Sequence, residues 1–393
     1  MGHILKSIFG LKRKIKRVLL LDKPWDGMAK NKYDFGLPIP ILDLAPFLRQ
    51  RGMEVRCANF FNLPKYECDI VGLSSLFRPI EHIIEDFMQL RSFYPGSKFI
   101  LGGKIARSLS EQEKNRLLKK KIEICNGPGE TFFFPDETYS LKDYPSWNFQ
   151  DIADLGYDAI HRWCNLMSSR GCPYRCNFCN NTEKKVQYFD IERTIDNINL
   201  LFKLKRKYVN FGDDIFTLKP ERMQNIFDCA ASRKIDLQGR VRFFTHIRHI
   251  NEECVKACLR YKPIHVSVGV ESGDERMLSY MGKGFKPELA KEKVIFLSKY
   301  VRVHALFLVG FPGETIDSLE NTYNFVKSLS KYNIFSSVNL YQPIPYTVGY
   351  ELSKQRGQLS IYHADNHQVS YIPEGLNSHT LKQYRQKILS LNR

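Results

Sequence analysis

Three cysteines lie within eight residues of one another, and their thiolates are suited to holding an iron–sulfur cluster. Cys172, Cys176 and Cys179 occur in residues 168–179, SSRGCPYRCNFC. Thiolates are the usual protein ligands of iron–sulfur irons. Three of them can bind three irons of a [4Fe–4S] cluster and leave the fourth iron open to an exogenous ligand. The spacing therefore indicates a reactive cluster, and it is unlike a disulfide framework.

Two alternatives compete with this interpretation. Zinc also binds thiolates, but a closed structural zinc site has four protein ligands. No fourth cysteine or histidine follows at a zinc-finger spacing, and Cys164 on the incoming strand is expected to point away. The second alternative is three unrelated buried cysteines, which the motifs further along the chain disfavour.

This loop resembles the signature of the radical S-adenosylmethionine (SAM) enzymes, a Cys-x3-Cys-x2-Cys loop with an aromatic residue, here Phe178, before the last cysteine. The resemblance implies that Cys172, Cys176 and Cys179 hold a [4Fe–4S] cluster and that its open iron binds SAM. It further implies reductive cleavage of SAM to methionine and a 5′-deoxyadenosyl radical. The protein would aim that radical at a substrate hydrogen.

Short motifs after later strands extend the resemblance. They are FGDD (211–214), GVESG (269–273), GFPGET (310–315) and PIPYT (343–347). The family places SAM-binding groups at such strand ends, although FGDD replaces its Gly-Gly-Glu and Tyr346 replaces a glycine. The implied SAM residues are Phe178, Asp213, Asp214, Arg248, Glu271, Ser272, Gly310, Pro312 and Gly313.

Two alternating series of strands and helices must position these residues. Strands alternating with helices predict parallel sheets. The first series, over 18–135, has strands at 18–22, 54–60, 69–76, 98–102 and 122–125. The second, over 163–350, has strands at 165–169, 208–211, 241–245, 265–270, 303–309 and 336–341. We therefore predict an α/β protein: a doubly wound, Rossmann-like sheet followed by a partial (β/α)6 TIM-type barrel.

The remaining segments connect or flank these two domains. Residues 136–162 are predicted to be a linker, and residues 351–393 a polar tail ending in a helix over 378–391. Residues 1–17 combine apolar positions at a helical period with Lys and Arg and no acid. Such a segment either leads into the next domain or lies on an anionic membrane surface.

The front domain resembles the cobalamin-binding domain of cobalamin-dependent radical SAM enzymes. Ligands of doubly wound sheets bind beyond the carboxyl ends of the strands. The implied cobalamin residues at those ends are Ser74, Ser75, Gly102, Gly103, Gly129 and Glu130. The Asp-x-His-x-x-Gly loop that supplies histidine to cobalt in other cobalamin proteins is absent. A front domain without cofactor is therefore the alternative.

Other cysteines and histidines are expected to be structural or solvated. Cys57, Cys68 and Cys125 lack the surroundings that methylthiotransferases provide for a second cluster. Cys254 and Cys258 share one helix face, and His363 and His367 are also four residues apart. Ligation by either pair is the alternative.

Composition bounds the rest of the interpretation. The chain has 393 residues, ten cysteines and a formal net charge of +17, with no apolar run long enough to span a membrane and no expected signal peptide. A cytoplasmic protein is expected, with peripheral membrane contact through 1–17 as the alternative. Nucleic acid is disfavoured because no basic cluster is interleaved with stacking aromatics.

Together these features predict a radical SAM methyltransferase that methylates an unactivated carbon with cobalamin. The alternatives are a radical cyclase, oxidoreductase or rearrangement enzyme with a degenerate front domain, and a tRNA-modifying enzyme. The expected partners are a small-molecule or lipid-like substrate and an electron donor such as flavodoxin or ferredoxin.

Overall fold

The computed structural model describes residues 17–23, 37–75, 79–156, 163–181, 183–359 and 368–392. The chain forms two compact units: unit 1, residues 1–138 and 147–158, and unit 2, residues 139–146 and 159–393. The basic segment 1–17, except for Arg17, and the pair His363 and His367 lie outside the described residues. No helix within the described ranges has the length and apolar character needed to cross a bilayer.

Unit 1 is built on a five-stranded, entirely parallel sheet in the order β2-β1-β3-β4-β5. Its strands are β1 (Arg17–Lys23), β2 (Glu54–Asn59), β3 (Ile70–Ser75), β4 (Lys98–Gly102) and β5 (Ile122–Ile124). Its helices are α1 (Ile39–Gln50), α2 (Ile80–Phe93), α3 (Glu111–Lys119), α4 (Gly129–Phe133) and α5 (Phe149–Asp154). The strand order reverses beside β1, as in doubly wound folds. The middle of β1, residues 18–21, is apolar and buried, as expected for a central parallel strand covered on both faces.

Unit 2 contains a six-stranded parallel sheet in the order β13-β12-β11-β10-β9-β6. Its strands are β6 (Trp163–Leu166), β9 (Tyr208–Phe211), β10 (Val241–Thr245), β11 (His265–Glu271), β12 (Val303–Val309) and β13 (Ile334–Leu340), with two short pairs, β7 (Ser169–Arg170) with β8 (Gln187–Tyr188) and β14 (Gly357–Leu359) with β15 (Tyr371–Pro373). Its helices are α6 (Ile191–Lys203), α7 (Pro220–Ser232), α8 (Glu252–Tyr261), α9 (Glu275–Tyr280), α10 (Pro287–Ser298), α11 (Ile316–Leu329), α12 (Val348–Gln355) and α13 (Ser378–Leu389).

The alternation of side chains along β12 separates two faces of the unit 2 sheet. Val303, Ala305, Phe307 and Val309 are buried, and the residues between them are half-buried. Phe307 packs edge-on against Phe325 of α11, with ring centroids 6.0 Å apart. One face is therefore covered by helices, and the other is the inner face of the partial barrel.

These sheets confirm the predicted fold class, and most strand limits agree within two residues. The predicted strand 165–169 is instead divided: β6 ends at Leu166, and Ser169–Arg170 pairs antiparallel with β8. The division occurs because Ser168 donates its backbone N–H to the carboxylate of Asp213, which turns the chain out of the sheet.

The predicted linker, residues 136–162, contains α5 and is divided between the two units. Trp147 Nε1 donates to Asp43 Oδ1 at 2.9 Å, and Arg49 Nη1 donates to Asp151 Oδ2 at 2.7 Å. Both acceptors are buried. These two contacts hold residues 147–156 against α1, within unit 1.

Candidate functional site

The cysteine loop of unit 2 is closed at its base by the β7–β8 pair. Cys172 donates its N–H to the carbonyl of Glu183 at 2.9 Å. Gly171, which precedes it, has φ +102°, and a Cβ there would lie 2.6 Å from the carbonyl oxygen of Lys185. Only glycine accommodates both the left-handed backbone and that close approach. The loop therefore needs the glycine that precedes its first cysteine.

Asp213, which follows β9, binds the residues just before the cysteine loop. Its carboxylate accepts from the N–H of Ser168 at 3.0 Å, from the Ser168 hydroxyl at 2.8 Å, and from the Ser169 hydroxyl. The side chain is fully buried, and burial raises its pKa while the three hydrogen bonds oppose that rise. Arg222 adds a bond to the carbonyl of Ser168 at 3.1 Å. These contacts engage Asp213 with the protein itself.

The three thiols of the loop lie within electrostatic reach of one another. Burial raises the pKa of the Cys172 and Cys176 thiols, and the charge of Cys179 raises both further. Asp214 acts on Cys172 in the same direction. The Asp214 carboxylate is exposed, and it accepts from Asn181 Nδ2 at 2.7 Å. The predicted carboxylate that lies beside the cysteines is therefore Asp214, one residue after the one that braces the loop.

The donor set fits a cluster better than a single metal ion. Within the parts of the chain that the structure describes, no three His, Cys, Asp or Glu side chains are placed to hold one ion. Ligands of a zinc ion all lie about 2.0–2.3 Å from one centre. The thiolates of a cluster each bind a different iron and so stand further apart. Three neighbouring thiols that are not arranged around a single ion therefore suit a [4Fe–4S] cluster.

A buried ion pair faces Cys176 from the end of β11. Lys283 Nζ lies 3.2 Å from Glu271 Oε1, and their side chains are only 4% and 14% exposed. The positive charge of Lys283 lowers the pKa of Cys176, and Glu271 raises it. Gly269 leaves room for the pair, since a Cβ there would lie 2.5 Å from Glu271 Oε1. Glu271, a predicted residue, thus lies at the cysteine loop.

Sequence reasoning missed Lys283. An ammonium that is almost fully buried beside Cys176 can bind a carboxylate when it exchanges partners. It lies between Gly282 (φ +69°) and Gly284 (φ +66°), and this pair of left-handed glycines is the feature that could have indicated a fixed lysine. The ring of Phe178 lies 5.9 Å from Lys283 Nζ, which places that predicted residue in the same group.

An aromatic stack covers a second side of the loop. The ring of Tyr174 stacks on that of His246 with centroids 3.9 Å apart, and the Tyr174 hydroxyl lies 3.0 Å from His249 Nε2. Burial, together with the charge of Lys283, lowers the pKa of His246 to about 3. His246 is therefore neutral at physiological pH. Arg248 is exposed, and its guanidinium donates to the carbonyl of Gly284.

The turn after β12 is held by a buried acid. Glu314 accepts from the N–H of Gly310 at 3.1 Å and from the Ser318 hydroxyl. Burial raises its pKa to about 7. Pro312 is buried, and Gly313 (φ +92°) lies so close to Tyr280 that a Cβ would be 2.7 Å from the ring. The predicted residues of this turn form a rigid backbone ridge beside α9.

Ser272 lies apart from the ligand-facing groups. It is 1% exposed, its hydroxyl is 3.0 Å from Thr322 Oγ1, and it accepts from the N–H of Asp274 at 3.1 Å. Like Asp213, it is engaged with neighbouring protein groups. It fixes the start of α9 relative to α11.

In unit 1, the predicted residues lie at the carboxyl edge of the sheet. Ser74, Gly102 and Gly103 are half-buried, whereas Ser75 and Glu130 are buried. Gly103 has φ +85°, and a Cβ there would lie 2.5 Å from the carbonyl oxygen of Ser75. The edge is thus a ridge of small residues and backbone. Gly129, which begins α4, packs against the side chain of Leu44.

The remaining cysteines of unit 1 do not converge. Cys57 is buried on β2, Cys68 lies 3.6 Å from the hydroxyl of Ser97, and Cys125 donates to the carbonyl of Gly127 at 3.3 Å. Burial raises the pKa of Cys125 to about 11. These separate environments are those of packed thiols and differ from a second cluster site.

Comparison with known protein families identifies a domain within unit 2. Residues 166–326 match the Radical SAM superfamily, and this range includes all three loop cysteines together with Glu271 and Lys283. Residues 166–326 are a radical SAM domain. The resemblance inferred from the cysteine loop is thereby confirmed, and [4Fe–4S] and SAM are the cofactors that this domain implies.

An uncharacterized methyltransferase of Pyrococcus horikoshii is 32% identical over 170 residues, which cover 42% of this chain and 36% of the relative. The chain spans about a third to a half of the length of the first curated relatives that it matches.

Two solved structures share the fold of both units. The cobalamin-dependent SAM radical enzyme OxsB, with aqua-cobalamin bound, has a TM-score of 0.69 and 18% identity over 87% of this chain and 55% of its own. The radical SAM methyltransferase TsrM of Kitasatospora setae, with cobalamin and a [4Fe–4S] cluster bound, has a TM-score of 0.66 and 15% identity over 95% of this chain and 85% of its own. At these identities the likeness concerns the fold.

Proposed function

We propose that this chain is a cobalamin-dependent radical SAM methyltransferase that acts on an unactivated carbon. The observation that carries the proposal is the combination, in one chain, of three coupled thiols beside the Glu271–Lys283 pair and a parallel sheet with a small-residue edge in unit 1. Reduction of SAM at the cluster supplies a radical that abstracts hydrogen, and cobalamin supplies a carrier for the methyl group.

The residues of unit 2 would hold SAM by its charged groups. The Lys283 ammonium suits the SAM carboxylate, and the exposed carboxylate of Asp214 suits its ammonium. Glu271 can accept from ribose hydroxyls, and the ridge over Gly310–Gly313 suits the flat face of adenine. Asp213 and Ser272 would act indirectly, by holding the cysteine loop and the start of α9 in place.

The edge of unit 1 fits a large flat cofactor. The small residues Ser74, Gly102 and Gly103 leave backbone groups accessible to a corrin ring, and Gly129 and Glu130 begin the helix after β5. Ser75 and Glu130, being buried, would support the edge without contact. His82 is the one histidine among the described residues of unit 1 and is exposed on α2. Cobalamin would therefore be held mainly through its ring and side chains.

Two further partners belong to the proposal. Radical chemistry of this type requires single electrons, which a flavodoxin or ferredoxin would deliver. The substrate would be a small or lipid-like molecule that enters the barrel.

The test of the radical reaction is product formation by the anaerobically reconstituted protein. With reductant and SAM we expect 5′-deoxyadenosine, and with methyl transfer also S-adenosylhomocysteine. Cys176→Ala should abolish both, whereas Cys229→Ala, which removes a half-buried thiol of α7, should abolish neither. Equal yields from Cys176→Ala and the parent protein would overturn the proposal.

The test of the cobalamin step is the ultraviolet–visible spectrum of protein produced with cobalamin available. A retained corrinoid, lost on substituting Gly102 and Gly103 by valine, supports the methyltransferase. If 5′-deoxyadenosine forms in a protein that retains no corrinoid, the radical cyclase, oxidoreductase or rearrangement function takes its place.

A further inference from the structure

The amino ends of the barrel strands carry a group of polar side chains on the inner face. Arg242 of β10 is the register partner of His265 of β11, and Ser267 is the partner of His304 of β12. All four are on the face opposite Phe243 and Phe307, which pack against the helical layer. We call Arg242, His265, Arg302 and His304 the floor cluster.

Arg242 is fixed by contacts with side chains of the neighbouring strands β9 and β6. Its Nε donates to Asn210 Oδ1 at 3.1 Å, and Asn210 Nδ2 in turn donates to Asn165 Oδ1 at 2.9 Å. Its guanidinium carbon lies 4.2 Å from the centroid of the Trp163 ring. A guanidinium stacked in this way has lost conformational freedom before any ligand arrives, and its two terminal nitrogens are not used by these contacts.

The two histidines are fixed from the neighbouring strands. His304 Nε2 lies 2.7 Å from the hydroxyl of Ser337, and its Nδ1 lies 3.3 Å from the hydroxyl of Ser267. Its ring stacks on Phe335 with centroids 4.3 Å apart, and His265 meets the His304 ring edge-on at 5.4 Å. The second arginine, Arg302, contacts the Phe335 ring, with its guanidinium carbon 4.5 Å from the ring centroid.

The floor cluster carries positive charge without a matching acid. Burial, together with the charges of Arg242 and Arg302, lowers the pKa of His265 and His304 to about 4. Burial also lowers the pKa of Arg242. Across the described ranges, no Asp or Glu forms an ion pair with either arginine. Arg242 is half-buried and Arg302 is exposed. Since a half-buried cation such as Arg242 is costly without a counter-charge, the cluster is suited to an anion.

The floor cluster is distant from the cysteine loop. His265 and Glu271 are the first and last residues of β11, and six residues of strand span about 20 Å. Phe244 and Leu306 lie on the inner face between the two ends, so the middle of the barrel is apolar. The floor cluster is therefore separate from the SAM residues, which surround the opposite end.

We propose that the floor cluster binds a terminal phosphoryl or phosphonyl group. A guanidinium fork can donate two parallel hydrogen bonds to such a group, and imidazole and serine hydroxyls supply further donors for its third oxygen. A carboxylate offers two oxygens and one charge, and a phosphodiester offers one charge and has two of its oxygens blocked by substituents. A terminal phosphoryl dianion matches both the number of donors and the two arginine charges. This inference stands apart from the proposed methyl transfer.

The test is calorimetric titration of the full chain, carrying its cluster, with inorganic phosphate in chloride buffer at constant ionic strength. We expect one saturable site per chain. Arg242→Gln and Arg302→Gln should each weaken binding at least about tenfold, as expected for loss of a charge-assisted contact. The control is Arg260→Gln, which removes a 61% exposed arginine on α8 and should leave the affinity within about twofold.

Two further probes distinguish the source of the phosphoryl group. Dimethyl phosphate mimics the diester of nucleic acids and phospholipids, and acetate mimics a carboxylate; both should bind at least about tenfold more weakly than inorganic phosphate. The proposal is overturned by absence of saturable binding, by an equal loss in Arg260→Gln, or by dimethyl phosphate or acetate binding as tightly. If circular dichroism shows Arg242→Gln to be unfolded, Arg302→Gln decides, because Arg302 is exposed.

Discussion

The adjacent carboxylates after β9 should differ in what their substitution changes: Asp213 the stability of the fold, and Asp214 the affinity for SAM. Asp213 is 1% exposed and accepts three hydrogen bonds at the base of the cysteine loop. Asp213→Ala leaves one backbone N–H and two hydroxyls without an acceptor. An unsatisfied buried donor costs about 1–3 kcal/mol, and partial relaxation with loss of a desolvated charge offsets some of this. We expect a destabilisation of about 3–5 kcal/mol.

The comparison variant is Asp214→Asn. Asp214 is exposed and bonded to Asn181, so its substitution should change stability by less than about 0.5 kcal/mol. If Asp214 accepts from the SAM ammonium, losing that charge-assisted bond should raise the Kd of SAM about tenfold. Asp213→Asn should be intermediate in stability, because the amide retains one acceptor oxygen.

The assay has two readouts on the same three variants. Guanidinium unfolding followed by far-ultraviolet circular dichroism compares stabilities, and equilibrium dialysis of the reconstituted proteins with SAM compares affinities. The reasoning is refuted if Asp213→Ala unfolds at the same guanidinium concentration as the parent protein yet fails to bind SAM. In that case Asp213 would be the ligand and its hydrogen bonds incidental.

Two further predictions concern the turns beside the site. Burial raises the pKa of Glu314 from 4.5 to about 7, so between these pH values the folded state holds a proton that the unfolded state releases. The free energy of unfolding should therefore fall by about 3 kcal/mol as the pH rises from 4.5 to above 7. Unfolding at several pH values measures this fall. Glu314→Gln should remove this dependence, and the exposed Glu292→Gln should retain it. Gly171→Ala should sharply reduce iron and sulfide per chain after reconstitution, because its Cβ would lie 2.6 Å from a carbonyl oxygen. Gly239→Ala, with φ +63° and nothing within 4 Å, should cost only about 1–2 kcal/mol and retain the iron; equal iron loss in both variants contradicts the steric argument.

Much of the fold could be predicted because its information is local. Parallel strands such as β12, in which His304 is the one polar residue, are largely apolar. The helices between strands have capping residues, as Ser110 and Glu113 are for α3. The cysteine loop could be predicted for the same reason, since all three thiols lie within one short segment. Gly171 belongs to that segment, and its role follows from the tight turn before Cys172.

What the sequence could not separate depends on contacts between distant residues. Asp213 and Asp214 are neighbours of identical type, and only the approach of Ser168, which lies between β6 and β7, distinguishes a buried carboxylate from an exposed one. Lys283 has no cysteine or acid beside it in sequence, and it pairs with Glu271, twelve positions earlier, only because the backbone between them turns back. Residues 147–156 return to unit 1 for a similar reason, through the hydrogen bond from Trp147 to Asp43.

Asn177, within the cysteine loop, is held by residues that are synthesised much later than the loop itself. It lies between Cys176 and Cys179, donates to the carbonyls of Met281 (2.9 Å) and Tyr280 (2.7 Å), and accepts from the N–H of Gly349 at 2.7 Å. At about 5–20 residues per second, a ribosome needs roughly 10–30 s to travel from the cysteines to that glycine. Throughout that interval the nascent loop has its thiols but lacks the anchors that shape it. Insertion of iron and sulfide into a finished loop is consequently a late event, which follows synthesis of nearly the whole barrel.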